Sequence, residues 1–199
     1  MLRTIRQYGI RGSLRLLTSL VKTKLFYSKS RLIRFPFDIR NRHLIDLGIG
    51  LTTGYGCRIE AYSTDSSDKK LLIFGSNVQI NDYVHISAGE KITIGDNVLM
   101  ASKIFISDIS HGKYVGEGQD NPKNNPAFRK LYTRPITIER NVWIGESCCI
   151  LPGVRIGEGS IIGALSVVTH DVPPFSICVG SPAKVIKRFD FNSGKWEKV

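Results

Sequence analysis

Residues 138–168 read IERNVWIGESCCILPGVRIGEGSIIGALSVV, and an aliphatic side chain returns at every sixth position: Ile138, Ile144, Ile150, Ile156, Ile162 and Val168. A period of six is neither the 3.6 of a helix nor the two of a strand, so it marks an internal repeat. Glycine follows the aliphatic at Gly145, Gly157 and Gly163, and the fifth position of each hexad is small or branched: Val142, Cys148, Val154, Ser160, Ser166 and Val172. One hexad then makes one short strand and a turn. The aliphatic points into a narrow prism, glycine serves the tight or left-handed turn, and the small residue fits the remaining interior slot. Stacking at about 4.8 Å pairs the backbone of each coil with its neighbours. With each buried isoleucine contributing roughly 1.5–3 kcal/mol, the ladder holds itself together. The pattern specifies a hexapeptide β-helix, an all-β fold.

Upstream the same form recurs as Leu72-Ile73-Phe74-Gly75-Ser76-Asn77-Val78 and Ile92-Thr93-Ile94-Gly95-Asp96-Asn97-Val98, two successive coils entering by one turn. Leu47-Gly48-Ile49-Gly50 and Ile59-Glu60-Ala61 read as degraded hexads, and Thr64–Lys70 as a polar turn. The register breaks after His111 and resumes at Ile138. The segment between, rich in Gly, Asn, Pro and Lys, is a long excursion from a regular repeat, and such segments are usually functional or disordered. Downstream, Asp171-Val172-Pro173-Pro174 reads as the stop that closes the helix, since proline ends strand addition. Phe189, Phe191 and Trp196 are placed to fold the tail back on the end coil. The organisation is therefore a basic helical segment over 1–44, a β-helix over 45–188 with its excursion at 112–137, and a tail over 189–199.

The net charge of +11 is unevenly spread: residues 1–42 hold eleven Lys and Arg against Asp38 alone, which is +10 and leaves about one for the rest. From Ile5 to Phe26 the chain reads as one or two amphipathic helices, with Gly9 and Gly12 as possible breaks. Leu14, Leu17 and Val21 share one face and Arg11, Arg15 and Lys22 the other, and a basic face opposite a leucine face suits an anionic membrane surface, reached through residues 1–34. It equally suits a helix that caps the open end of the β-helix and packs on a neighbouring subunit, and both readings can hold together. Nucleic acid is not expected, because the repeat supplies no basic surface. Cys57, Cys148, Cys149 and Cys178 have no metal or disulfide spacing and point to a reducing compartment. No apolar run reaches membrane-span length, Arg15, Lys22 and Lys24 interrupt any signal-peptide core, and Met1-Leu2 offers no myristoylation start, so a cytoplasmic location is expected, with peripheral contact at the inner face of the inner membrane as its extension.

Val142-Trp143-Ile144-Gly145, Ile150-Leu151-Pro152-Gly153-Val154, Gly163-Ala164 and Gly180-Ser181-Pro182-Ala183-Lys184 resemble the hexapeptide-repeat acyltransferases. With Thr93–His111 (TIGDNVLMASKIFISDISH) added, the chain is similar to the galactoside, maltose and xenobiotic acetyltransferase branch. The basic N-terminus and Ile80-Asn81-Asp82-Tyr83-Val84-His85 are most similar to O-acetyltransferases of lipopolysaccharide O-antigen biosynthesis. The resemblance covers residues 45–188. It implies a left-handed parallel β-helix, an exception to the usual right-handed crossover. It also implies a homotrimer, with acetyl-CoA between neighbouring β-helices and no metal.

By that resemblance His111 stands where the family has its catalytic histidine. An imidazole titrating near neutrality can take the proton of a sugar hydroxyl as the hydroxyl attacks a thioester. Asn81 matches an acceptor-binding asparagine, with Asp82 and His85 beside it. The family's nearby acid would fall on Gly89, where this sequence departs from the pattern and Asp82, His85 or Glu90 stands as the substitute. Trp143, Gly145 and Glu146 match positions near the pantetheine and thioester, where backbone N–H groups are candidates for an oxyanion. Ala164 and Thr169 match the CoA tunnel, His170 stands where relatives often carry lysine, and Lys184 and Lys187 match basic positions near the CoA phosphates.

The expected activity is acetyl-CoA-dependent O-acetylation of a saccharide, as a surface polysaccharide or its lipid-linked precursor. The alternative acceptor is a free sugar, a nucleotide-sugar amine or an antibiotic. Two further readings leave acyl transfer: a zinc hydratase of the same fold, which needs three converging histidines that His43, His85, His111 and His170 are not spaced to give, and a non-catalytic scaffold.

Overall fold

The computed structural model describes residues 2–63 and 69–199, with side chains from Ile5 onward. The turn expected at Thr64–Lys70 lies outside the described residues except for Lys69 and Lys70. From Ile45 the chain winds over three parallel faces in fixed rotation. The first face stacks Ile45–Asp46, Leu72–Phe74, Ile92–Ile94, Ile136–Ile138 and Arg155–Ile156. The second begins Thr52–Thr53, Gln79–Ile80, Leu99–Met100, Trp143–Ile144 and Ile161–Ile162. The third runs Phe37–Arg40, Cys57–Ala61, His85–Ala88, Phe105–Ser107, Cys149–Ile150 and Val167–Val168.

Three hexads make one coil, so each ladder residue stacks on the one three hexads later: Ile138 on Ile156, Ile144 on Ile162, Ile150 on Val168. All six are buried, and Val142, Cys148, Val154, Ser160, Ser166 and Val172 fill the slots between them. The register resumes at Ile136, opposite Ile92, one alternation before Ile138. The array also starts earlier than Ile45: Phe37–Arg40 pairs in parallel with Cys57–Glu60, and Leu32 bridges Thr52.

The turns correct one element of the sequence reading. Gly145, Gly157 and Gly163 do not adopt positive φ; a Cβ there would come within 2.5 Å of Ala164 N, 2.4 Å of Pro174 N and 2.7 Å of a Val179 methyl. Glycine is required because the next coil approaches so closely. The left-handed residue comes two positions later. Asn77, Asn97 and Asn141 hold it at the first-to-second corner, and Tyr83, Lys103, Ser147 and Leu165 at the second-to-third. Asparagine tolerates that region well, and the others are held there by the stacked backbone on either side.

Pro173-Pro174 does not end strand addition. Ser176–Gly180 rejoins the second face, and Ala183–Asp190 and Lys195–Lys198 extend it as antiparallel strands. The proline pair occupies only a corner between the Val172 bridge and Ser176. Phe175, Phe189, Phe191 and Trp196 pack edge to face over this extension.

At the other end the helix Leu2–Phe26, kinked at Gly9, lies on the first coil. Thr23 and Ser19 are buried there, the Ile33 N–H donates to Thr23 Oγ1 at 2.8 Å, and Arg15 donates to the Phe35 carbonyl while lying over the Tyr55 ring at 3.9 Å. Among the described residues no helix is long and apolar enough to cross a membrane.

Candidate active site

The excursion leaves the third face at Ser107 and returns to the first at Ile136. It is not structureless. Ile109–His111 and Leu131–Thr133 form an antiparallel ribbon, with Ile109 opposite Thr133 and His111 opposite Leu131. Its foot is Asp108, which is fully buried. The Asp108 carboxylate accepts the backbone N–H groups of Gly89 (2.6 Å), Glu90 (2.9 Å) and Lys91 (2.7 Å) from the coil below. Its carbonyl accepts the Arg134 N–H at 3.0 Å. Burial pushes the Asp108 carboxyl up from its ordinary range, against the pull of those three donors.

His111 ends the outgoing strand and is exposed to solvent. Its carbonyl accepts the Tyr114 hydroxyl, and that hydroxyl accepts from Arg129 Nη1 at 2.8 Å. Arg129 Nη2 donates to the carbonyls of Pro122 (3.1 Å) and Asn124 (2.7 Å). One guanidinium thus ties the middle of the excursion to the backbone of the histidine. Gly112, at φ 109°, makes the turn beyond His111, and a Cβ there would meet Tyr114 Oη at 2.9 Å.

Gly89 has a physical reason to be glycine. A Cβ at that position would lie 2.7 Å from Ile109 Cγ1 and 2.9 Å from Thr133 Cγ2, so the ribbon fills the space. The neighbouring Glu90 instead accepts the Thr133 hydroxyl at 2.8 Å, a bond from coil to ribbon.

Asn81 is exposed at the second-to-third corner. Asp82, beside it, accepts the Tyr55 N–H at 2.7 Å and so joins two coils. His85 lies on the third face, its ring 5.3 Å from that of Phe105 and its Nε2 2.9 Å from Glu60 Oε1. Glu60 is buried and also accepts from Arg58 Nε and Tyr62 Oη, each at 2.8 Å. Burial alone would raise its carboxyl, but His85, Tyr62 and Arg58 together hold it below the usual carboxylate range.

Trp143 sits on the outside of the second face, half exposed, between Leu99 and Ile161. Gly145 follows at the corner, packed on the Ala164 backbone, with Glu146 and Ala164 exposed beside it. Lys187 and Lys184 lie on the antiparallel extension of the same face, opposite Ile177 and Val179. Thr169 and His170 stand at the third-to-first corner, joined by a 2.8 Å contact from Thr169 Oγ1 to His170 Nδ1. The candidate residues thus form two groups on either side of the third face. Asn81, Asp82, Trp143, Gly145, Glu146 and Ala164 lie to one side, and His111, Thr169 and His170 to the other. Asp108, Glu60, Tyr114 and Arg129 were missed by sequence reasoning. Only Asp108 left a signal, as a lone carboxylate where the period fails. Among the described residues no cluster of His, Cys, Asp and Glu is arranged to hold a metal ion.

Residues 135–170 match the bacterial transferase hexapeptide (six repeats) family. Over 198 residues, 99% of this chain and 98% of the relative, the sequence is 39% identical to the Escherichia coli (strain K12) protein WbbJ, whose name assigns it provisionally as a lipopolysaccharide biosynthesis O-acetyl transferase. It is 39% identical over 155 residues to the galactoside O-acetyltransferase of the same organism, covering 78% of this chain and 72% of that one. Among solved structures, galactoside acetyltransferase in complex with coenzyme A superposes with a TM-score of 0.52 at 34% identity, over 71% of this chain and 66% of that chain. AntD, an N-acyltransferase from Bacillus cereus in complex with dTDP and 3-hydroxybutyryl-CoA, reaches a TM-score of 0.66 at 23% identity, over 86% and 90%. The shared architecture is the left-handed parallel β-helix. The chain belongs to the hexapeptide-repeat acyltransferases.

Proposed function

We propose that the protein transfers the acetyl group of acetyl-CoA to a sugar hydroxyl of a surface polysaccharide or its lipid-linked precursor, with His111 as general base and no acyl-enzyme. The observation that carries this reading is the similarity to WbbJ, which runs the length of both chains, the basic N-terminus included. In the step itself the His111 imidazole takes the hydroxyl proton as the oxygen attacks the thioester carbonyl. Backbone N–H groups near Gly145 receive the negative charge that develops on the carbonyl oxygen. The thioester C–S bond then breaks, and the imidazolium returns the proton to the departing thiolate. Orienting both substrates supplies much of the remaining rate.

The second face suits coenzyme A: Trp143 and Ala164 offer exposed apolar surface, and Lys184 and Lys187 offer cations for phosphate at its extended end. Thr169 and His170 line the opposite wall in this reading, and Asn81, with Asp82 or His85, receives the acceptor. The division of these groups between two corners supports a homotrimer in which neighbouring prisms complete each site. A lipid-linked acceptor brings the enzyme to the inner face of the inner membrane as a peripheral protein. Replacing His111 by Ala should abolish acetyl transfer while coenzyme A binding and oligomeric mass stay intact; turnover at the wild-type rate would overturn the assignment.

The identity to galactoside O-acetyltransferase favours a second reading, a free sugar as acceptor. Deleting the N-terminus would not separate the two, because Thr23 and Arg15 hold the first coil. Assaying a soluble galactoside against a lipid-linked oligosaccharide with the intact protein does.

A further inference from the structure

The first helix lies on the β-helix with its polar side inward. Ser19 and Thr23 are its buried residues, Arg15 reaches the Phe35 carbonyl, and Lys22 lies over the Phe35 ring at 5.1 Å. The side facing away carries Ile10, Leu14, Leu17, Val21 and Leu25, each more than half exposed. Their spacing of four, three, four and four residues puts them on one stripe of the helix, about 22 Å long at 1.5 Å per residue. A helix on a protein in water alone buries its apolar stripe. Here the docking bonds hold that stripe outward.

Cations border it. Arg6, Arg11 and Lys24 are exposed on the helix, and Lys29 and Arg31 are exposed in the segment after it, while no Asp or Glu precedes Asp38 in the sequence. This arrangement selects the occupant. A second copy packed stripe to stripe would set the helix cations against their own counterparts, and the helix carries no Asp or Glu to neutralise them. An anionic lipid surface satisfies both features together, acyl chains taking the leucines and headgroup phosphates the cations.

We propose that the helix lies parallel to an anionic phospholipid surface, with the stripe from Ile10 to Leu25 at the acyl boundary and Arg6, Arg11, Lys24, Lys29 and Arg31 at the phosphates. The proposal rests on the reading of a lipid-linked acceptor for its purpose, but its chemistry is independent of transfer. Docked this way, the first coil meets the membrane, and the later coils extend away from it.

The test is co-sedimentation of the full-length protein with vesicles of phosphatidylcholine alone and of phosphatidylcholine with about one third phosphatidylglycerol. Binding is expected on the anionic vesicles and to be at least about tenfold weaker on the neutral ones. Leu17→Gln with Val21→Gln should weaken it about tenfold or more. Arg11→Gln with Lys24→Gln should weaken it about fivefold per charge on anionic vesicles only. Both variants should keep wild-type acetyl-CoA turnover and oligomeric mass. Equal binding to both vesicle types, or wild-type binding by the Leu17/Val21 variant, overturns the proposal. A fall in that variant's oligomeric mass would make the stripe a subunit contact and overturn it as well. A protein that binds vesicles yet leaves lipid-linked sugar unmodified fails the acceptor reading alone; one that acetylates that sugar without binding vesicles fails this proposal alone.

Discussion

Replacing Asp108 by Ala tests whether the excursion is held by its foot. The carboxylate accepts three backbone N–H groups at 2.6–2.9 Å from a fully buried position. Charge-assisted hydrogen bonds are each worth about 1.5–3 kcal/mol, but the three share one acceptor and do not add. Glu90 and Lys91 are exposed, so water can reach their N–H groups once the carboxylate is gone, whereas Gly89 is packed closely against Ile109 and Thr133. The expected loss is therefore about 3–4 kcal/mol, below the simple sum. For a chain of this size that lowers Tm by about 10 °C, read at fixed protein concentration because the state of assembly enters Tm. Asp108→Asn retains one acceptor oxygen and should lose roughly half as much. If the loss is confined to the excursion, amide exchange should accelerate at 89–91 and 109–111 and spare the ladder, and acetyl transfer should fall while coenzyme A binding holds. An Asp108→Ala protein with native Tm, native exchange at Gly89 and full activity would refute the claim that this carboxylate anchors the excursion.

Ile150→Ala removes a fully buried ladder residue between Ile106 and Val168 and should cost about 2–5 kcal/mol by denaturant unfolding. Tyr114→Phe removes the hydroxyl between His111 and Arg129, and it should lower kcat several-fold with the KM for acetyl-CoA unchanged in steady-state assays. Because Glu60 is held below the usual carboxylate range in the folded protein, its stabilisation is present above the unfolded pKa and is lost as pH falls through the folded one. Glu60→Gln should thus flatten the loss of stability below about pH 4.5 in an acid denaturation series. Mixing His111→Ala protomers with Ala164→Trp protomers, refolded together, should restore about a quarter of wild-type activity if each site joins two neighbours, since one interface in four then carries both intact groups. Restoration of none would place each site within one protomer.

The ladder was legible because its interior position admits one kind of side chain. A residue that stacks on its own equivalent every third hexad cannot vary in polarity without leaving a buried polar group, and Ile138 to Val168 hold to that rule. The first strands were not legible, because Phe37–Arg40 carries no glycine turn and takes its place by pairing with Cys57–Glu60. The role of glycine was half legible. Its presence after the aliphatic is a matter of clearance between coils, which depends on residues such as Ala164 and Pro174 one coil away. The left-handed positions announce themselves at Asn77, Asn97 and Asn141 but not at Tyr83, Lys103 or Leu165, where stacking overrides preference. In the candidate site, His111 was proposed from the resemblance to the family. Its supports were not, because Asp108 acts on a coil 17–19 residues earlier and Arg129 reaches back 15 residues to Tyr114.

The same rule that makes the ladder legible also displaces the chemistry from it. A prism filled by Ile94, Ile138, Ile144 and Ile150 has no interior left for a substrate, so binding has to use the outer faces or the points where the period is broken. The outer faces offer little relief, since each coil repeats the one before it; the second-to-third corner stays nearly constant from Tyr83 to Leu165. The excursion is where the repeat is interrupted by a long insertion, and Asp108 and Gly89 together fix where it stands on the third-to-first corner. Trp143 and Gly145 stand on the far side of the third face from it. One rigid prism cannot bring these two groups together by bending, because a packed interior does not deform continuously. In the homotrimer proposed above, two prisms set side by side would do so. On that proposal, the rigidity that keeps His111 and Trp143 apart within a protomer would hold them in fixed register between protomers.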